Sequence, residues 1–308
     1  MLIQVIEMVL PVLALLLIGL MCNKKQIFDM NGLQGLKSIV GDICLPVVLF
    51  NAFFTAEYSL RLVLVFAVVY GCFILTLLGG YATKKFCAPY GRLSPLLMSA
   101  AEGGMLGYAL YGVLMGNQSE FATVDIGNTF FAYTIYLAAM KSCSGEKLSP
   151  KFMVKNMLTN KCCMGMLLGI VLGAAGVGKL VLDSPLGGTV SGLISMITAP
   201  TSAVVLITVG YELTLDKELL KPVAKSTLVR LILMAAACAV ASLVIFSIVP
   251  FDKNLQVALM ILFALPAPFI IPLFADVQQD GKYISTSLSV YTLLTVVLYV
   301  LIAVYALM

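Results

Sequence analysis

Apolar runs of about 20 residues, the length needed for a helix to cross a bilayer, recur along almost the whole chain. They constrain its fold more than any other feature. Windows of that length give ten candidate spans, at 2–22, 33–55, 60–82, 94–116, 122–142, 161–179, 186–212, 226–250, 255–276 and 284–307. The connections are short; the longest, from Lys141 to Asn160, is polar with an amphipathic second half (SPKFMVKNMLTN). No soluble domain fits between the spans. Charged residues make up 11% of the chain, against roughly 25% in soluble domains. The runs have helix length rather than the ten-residue alternation of barrel strands. The expected fold is an all-α integral membrane protein. The first run has no basic lead and no small-residue cleavage site, so it reads as a retained span.

Several function classes drop out at once. The chain has no histidine, which removes histidine catalysis, HExxH metal chemistry and histidine proton relays. The eight cysteines form no CxxC pair and read as small buried apolar residues. The net charge of +4 is no nucleic-acid footprint, because most basic residues fall in short loops. Neither an enzyme, a cofactor nor a metal site is expected.

Lysine and arginine also set an orientation. Sixteen of the 19 basic residues follow odd-numbered spans, Arg230 counted among them, while Arg61, Lys179 and Lys253 lie on the other side. This bias places the odd-to-even loops in the cytoplasm and both termini outside a cell membrane.

The two halves echo each other. Pro46 in span 2 matches Pro200 in span 7, and Gly104 in span 4 matches Pro266 in span 9. With five spans per half, the second copy enters the membrane from the opposite side. The expected organisation is a first repeat at 1–142, a cytoplasmic linker at 143–160 and an inverted second repeat at 161–308. Inverted repeats suit carriers that work by alternating access.

Spans 4 and 9 are the unusual ones. Leu96 to Gly116 carries Glu102 followed by Gly103 and Gly104. A carboxyl at membrane depth is costly, and glycines weaken a helix, so a break facing a cavity is expected there. In span 9, Pro266, Pro268 and Pro272 fall within seven residues and free carbonyls one turn earlier. Behind the first break, N–H groups at the start of the half-helix from about Met105 would attract an anion. Two interrupted spans, one per half, point to the substrate site. Two roles stay open for Glu102: reversible proton uptake, or pairing with a cation borne by the solute or driving its transport. Asp125 and Asn128, three residues apart, share a face of span 5, and Asp125 and Asp42 join Glu102 as candidates for proton or ion coupling. Glu7 and Glu212 fall near span ends and read as solvated.

Two glycine patterns carry little. Gly173 to Leu180 nearly spells a phosphate-binding loop, but Leu180 stands where Ser or Thr is needed. Gly169-x-x-x-Gly173 and Gly188-x-x-x-Gly192 permit close helix contacts without specifying a partner.

The motifs CLPVVLFNAF in span 2, GGMLGYAL in span 4, DIGNTFFAYTIYL in span 5, LITVGYELTL in span 7 and ALPAP in span 9, in that order, resemble the auxin efflux carrier family. That family includes plant PIN-type auxin carriers and bacterial permeases for malate and malonate. The resemblance implies a ten-helix inverted repeat with crossed, broken fourth and ninth helices, elevator-type alternating access and often a homodimer. Helices 1, 2, 6 and 7 would form the scaffold. By position, substrate binding maps to Glu102, Gly103, Gly104, Met105, Pro266 and Pro268, with Asn128 and Tyr133 from span 5. Many relatives carry Asn where Glu102 stands, Pro where Ala109 stands, and a polar Asn after the proline where this chain has Pro268, Phe269 and Ile270. A carboxylate at 102 repels an anion unless it is protonated or paired. The expected activity is secondary transport or uniport of a small organic solute, an organic anion such as a carboxylate, coupled to H+ or Na+ or to neither. A sodium-coupled carrier of the bile acid symporter type and a membrane solute sensor are the alternatives.

Overall fold

The computed structural model describes residues 2–56, 58–143, 158–271 and 277–308. Among these residues every regular element is helical, as the apolar periodicity requires. In chain order the helices are α1 (Leu2–Lys25), α2 (Met30–Phe54), α3 (Leu60–Ala82), α4 (Ser94–Met98), α5 (Tyr108–Met115) and α6 (Ser119–Phe131, running on to Cys143). They continue with α7 (Lys161–Ala174), α8 (Val177–Leu182), α9 (Gly187–Tyr211), α10 (Lys217–Ile248), α11 (Lys253–Ala264) and α12 (Val277–Leu307). Five of them, α2, α3, α9, α10 and the Asp280–Leu307 stretch of α12, are long and apolar enough to cross a membrane. Most of the 143–160 linker and Pro272 lie outside the described residues.

Local chemistry sets the helix ends. Asp29 caps α2 by accepting the Gly32 N–H at 2.9 Å, and Asp252 caps α11 through Asn254 and Leu255. Asn160 caps α7 through the Cys163 N–H. Such caps satisfy donors that the helix itself cannot. Gly116, at φ 69°, closes α5 in the left-handed conformation that glycine adopts most freely.

Two helix pairs meet backbone to backbone. On α7, Gly165, Gly169 and Gly173 face the carbonyls of Pro46, Phe50 and Phe53 on α2, and a Cβ at any of them would overlap that backbone. The α1–α9 pair is built the same way, with Gly19 against Ile207 and Gly210 against Leu16. The Gly169/Gly173 pattern is thus spent inside the chain. Gly188 and Gly192, by contrast, face open space.

The remaining long helices form a second group, with α3 against α6 and α10, and α11 against α6, α10 and α12. Phe73 of α3 stacks on Phe131 of α6 and Phe263 of α11, with ring centroids 5.7 and 5.1 Å apart. Aromatic pairs of this kind contribute about 0.5–1.5 kcal/mol each beyond area burial. They fasten α3, α6 and α11 together next to the two broken stretches.

One expectation is corrected here. Arg230, read from the sequence as a cation at a loop edge, lies inside α10 with 3% of its surface exposed. Its removal from the loop count leaves the asymmetry of basic residues standing.

Candidate functional site

The first break runs from Ser99 to Glu102, between α4 and the π-turn Gly103–Gly107 that opens into α5. Its backbone is non-helical throughout: Ser99 is extended, Ala100 has φ 54° and Glu102 has φ −77° and ψ 61°. Buried backbone oxygens need partners, and here side chains supply them. Ser99 Oγ donates to Pro95 O at 2.5 Å, and the Tyr136 hydroxyl donates to Leu96 O at 2.9 Å. Arg230 donates to Leu97 O at 2.7 Å and to Ala100 O at 2.9 Å. Asn128 closes the series: its Oδ1 accepts the Ala101 N–H and its Nδ2 donates to Ala101 O, both at 3.0 Å.

The second break follows α11 from Leu265 onwards. Pro266 and Pro268 lack an N–H, so the carbonyls of Leu262 and Ala264 lose their helical donors. Leu262 O receives the Leu265 N–H instead, and Ala264 O receives the Thr295 hydroxyl at 2.6 Å. Leu265 O takes a further bond from Arg230, at 2.9 Å. One guanidinium therefore holds carbonyls from both breaks.

Glu102 joins the breaks directly. Its own N–H donates to Pro266 O at 3.0 Å. Its Oε2 accepts the Phe269 N–H at 2.6 Å, and its Oε1 accepts the Met105 N–H at 3.4 Å. The carboxylate thus sits on donors from the start of one half-helix and from the far side of the other break. It is half-buried, and Gly104 beside it faces open space. Gly103 does not: a Cβ there would overlap the carboxylate of Asp125 and the amide of Asn128.

The residues expected at the site separate into three sets. Glu102, Gly103, Gly104, Met105, Pro266 and Pro268 lie at the meeting of the breaks. Asp125 and Asn128, 1% and 3% exposed, buttress it from behind. Asp125 accepts from Asn128 at 2.8 Å and from Thr129 at 3.1 Å within α6, and it faces the Tyr108 hydroxyl of α5. Tyr133 sits half-buried on the π-turn of α6 with its hydroxyl toward Cys163 of α7. Asp42 is not brought into this cluster: it is half-exposed and pairs with Lys161 at 3.2 Å. Arg230, Tyr136, Thr295 and Phe269 are additions that the sequence reading lacked. Phe269 acts through its backbone and gives no side-chain signal at all.

Two cavities lie at opposite ends of α2, one beside the C-terminal end of α9 and the other beside its middle. One, of about 320 Å³, is lined by Met30, Leu33, Tyr211, Glu212, Phe269 and Ser289. The other, of about 350 Å³, is lined by Asn51, Thr55, Gly112, Gln118, Thr198 and Ser202. The first reaches Phe269, whose N–H holds Glu102.

The two breaks are thus joined at Glu102 and held by buried polar side chains, with a cavity at each end of α2. The sequence model of a family described as membrane transport protein matches residues 4–160, just over half of the 308 and all of the first break. The chain belongs to the auxin efflux carrier family. A comparison with curated proteins returns no match. Auxin efflux carriers are membrane transporters rather than enzymes, and membership makes this chain a multi-pass membrane transporter. The second break lies beyond the matched segment, so its geometry is an observation of the structure alone.

Proposed function

We propose that this auxin efflux carrier family member is a secondary carrier. It moves a small organic anion, a carboxylate, across the cell membrane together with a proton, by alternating access of the elevator type. One observation carries the reading: the carboxylate of Glu102 accepts backbone N–H groups from both breaks, at Met105 and Phe269. An ionised Glu102 occupies the donors that a solute carboxylate needs and repels that solute. A protonated Glu102 is a weaker acceptor and carries no charge, so the same N–H groups become available to the solute. Proton and anion then bind together, and neither binds well alone.

The ten-span inverted repeat is part of this proposal, with halves at 1–142 and 161–308. Its support is the exchange of partners between halves: α1 packs on α9, and α7 on α2. Glycine-to-backbone contact leaves those pairs no slack, which suits a fixed scaffold. The group containing α3, α4, α5, α6, α10, α11 and α12 then moves, carrying the breaks past α2 and α9. The cavities at the two ends of α2 fit the two access routes. In this reading Glu102 is the coupling group, and Asp42 and Asp125 are not. The homodimer that the family implies belongs to the same proposal, and particle mass in detergent tests it.

Purified protein in liposomes tests the transport claim. Uptake of labelled small dicarboxylates and monocarboxylates should follow an imposed inward proton gradient. It should collapse when a protonophore removes that gradient and should be indifferent to replacing sodium with potassium. Sodium dependence with no response to the protonophore would replace proton coupling with the sodium-coupled alternative.

A further inference from the structure

A third cavity, of about 240 Å³, lies between α10, α11 and α12, with Arg230 in its wall. Its walls include Leu231, Met234, Ala235, Met260 and Leu298. Nearly all of the lining is aliphatic or aromatic, and Ala235, Leu301 and the flanking α10 surface are exposed. Arg230 and Tyr291 stand out. The guanidinium lies 5.4 Å above the Tyr291 ring. The Tyr291 hydroxyl, buried like its ring, makes no well-formed hydrogen bond among the described residues, with the Ser226 hydroxyl facing it.

Arg230 carries a full charge without a counter-ion: none of its bonds goes to a carboxylate among the described residues. Three bonds reach carbonyls, at Leu97, Ala100 and Leu265, while a guanidinium offers five N–H donors. A buried, uncompensated charge is costly by several kcal/mol, and carbonyl dipoles offset only part of that. An anion in the cavity would complete the balance, and the apolar walls require the rest of that anion to be hydrocarbon. A slim head group suits the site, because Arg230 and Tyr291 are the polar side chains of its lining apart from the Cys238 thiol.

We propose that this cavity is a binding site for a long-chain carboxylate. The head group would meet Arg230 and the Tyr291 hydroxyl, and the chain would lie between α10 and α12. The site shares Arg230 and Leu265 with the clamp on the breaks but opens away from Glu102, and it does not depend on the transport reading.

Thermal unfolding in dodecyl maltoside at pH 8 tests it, with three twelve-carbon probes: laurate, dodecanol and dodecyltrimethylammonium. Laurate should raise Tm by about 3 °C at saturation, with no shift from the other two. Ala235→Phe fills the cavity without touching Arg230 and should abolish the laurate shift while leaving Tm in detergent alone within a degree or so. Equal shifts from laurate and dodecanol would reduce the site to a greasy groove and overturn the proposal. So would a laurate shift that survives in Ala235→Phe. A shift from phosphatidylglycerol with none from laurate would also overturn it, assigning the charge to a lipid head group instead.

Discussion

The Oε2 atom of Glu102 lies 2.6 Å from the backbone nitrogen of Phe269, so a side chain of the first break occupies the donor exposed by the second. Replacing that carboxylate with its amide should separate proton coupling from folding. Glu102→Gln keeps an acceptor of the same length, and its amide N–H₂ meets donors at a cost of about 1–3 kcal/mol. Wild-type anion uptake should rise as external pH falls, because protonation is required for binding. In Glu102→Gln the uptake rate should become flat with pH. An unchanged pH profile in liposomes would remove Glu102 from coupling.

Adjacent glycines should respond oppositely to one added methyl group. At Gly103 a Cβ overlaps the Asp125 carboxylate and the Asn128 amide, whereas at Gly104 it meets nothing. Gly103→Ala should destabilise the protein by roughly 1–3 kcal/mol, as overpacking does, and abolish uptake. Gly104→Ala should retain wild-type Tm. Equal thermal stability of the two variants would show that the Gly103–Asp125 contact is not a constraint.

Asn128→Ala removes the acceptor of the Ala101 N–H and one of the two donors to Ala101 O, the other being the Gly103 N–H. The buried Ala101 N–H left unpaired costs about 1–3 kcal/mol, so the loss should exceed that of an ordinary surface change. Chemical denaturation in detergent reads it directly. Asn128→Asp should cost at least as much, since it still accepts the Ala101 N–H but sets a second carboxyl where the amide donates to Asp125 at 2.8 Å.

Leucine at Gly169 should prevent folding or lower Tm steeply, because a side chain there meets the Phe50 carbonyl. Leucine at Gly192, on the same kind of small-residue motif, meets open space and should leave the monomer's Tm unchanged. A normal Gly169→Leu melting curve would contradict the backbone-to-backbone packing of α2 and α7.

How much of this was legible beforehand follows from where each interaction is written. The helical class and a break next to Glu102 follow from hydropathy and glycine content, so a linear reading finds them. The break itself runs from Ser99 to Glu102, and the glycines open the π-turn after it. Asn128 could be placed on the inner face of α6, yet its partner is a peptide bond 27 residues earlier, which no spacing rule predicts. Arg230 was misplaced because counting basic residues near span ends cannot tell a solvated cation from one turned inward on carbonyls. Asp42 looked equivalent to Asp125 by composition, but Lys161, brought over by the α2–α7 pairing, holds it at the surface. Phe269 contributes a main-chain N–H, which every residue but proline possesses.

The crosswise packing of α1 on α9 and of α7 on α2 has a consequence for how the chain is made. Each half carries a helix whose glycines close only on the other half, so neither can finish its own frame. A ribosome that has delivered the first 143 residues has delivered α1 without its seat and α2 without its cover. Severing the chain between Cys143 and Leu158 would therefore not release two autonomous bundles. It would leave two mutually dependent fragments, whose stability returns only when both share one bilayer.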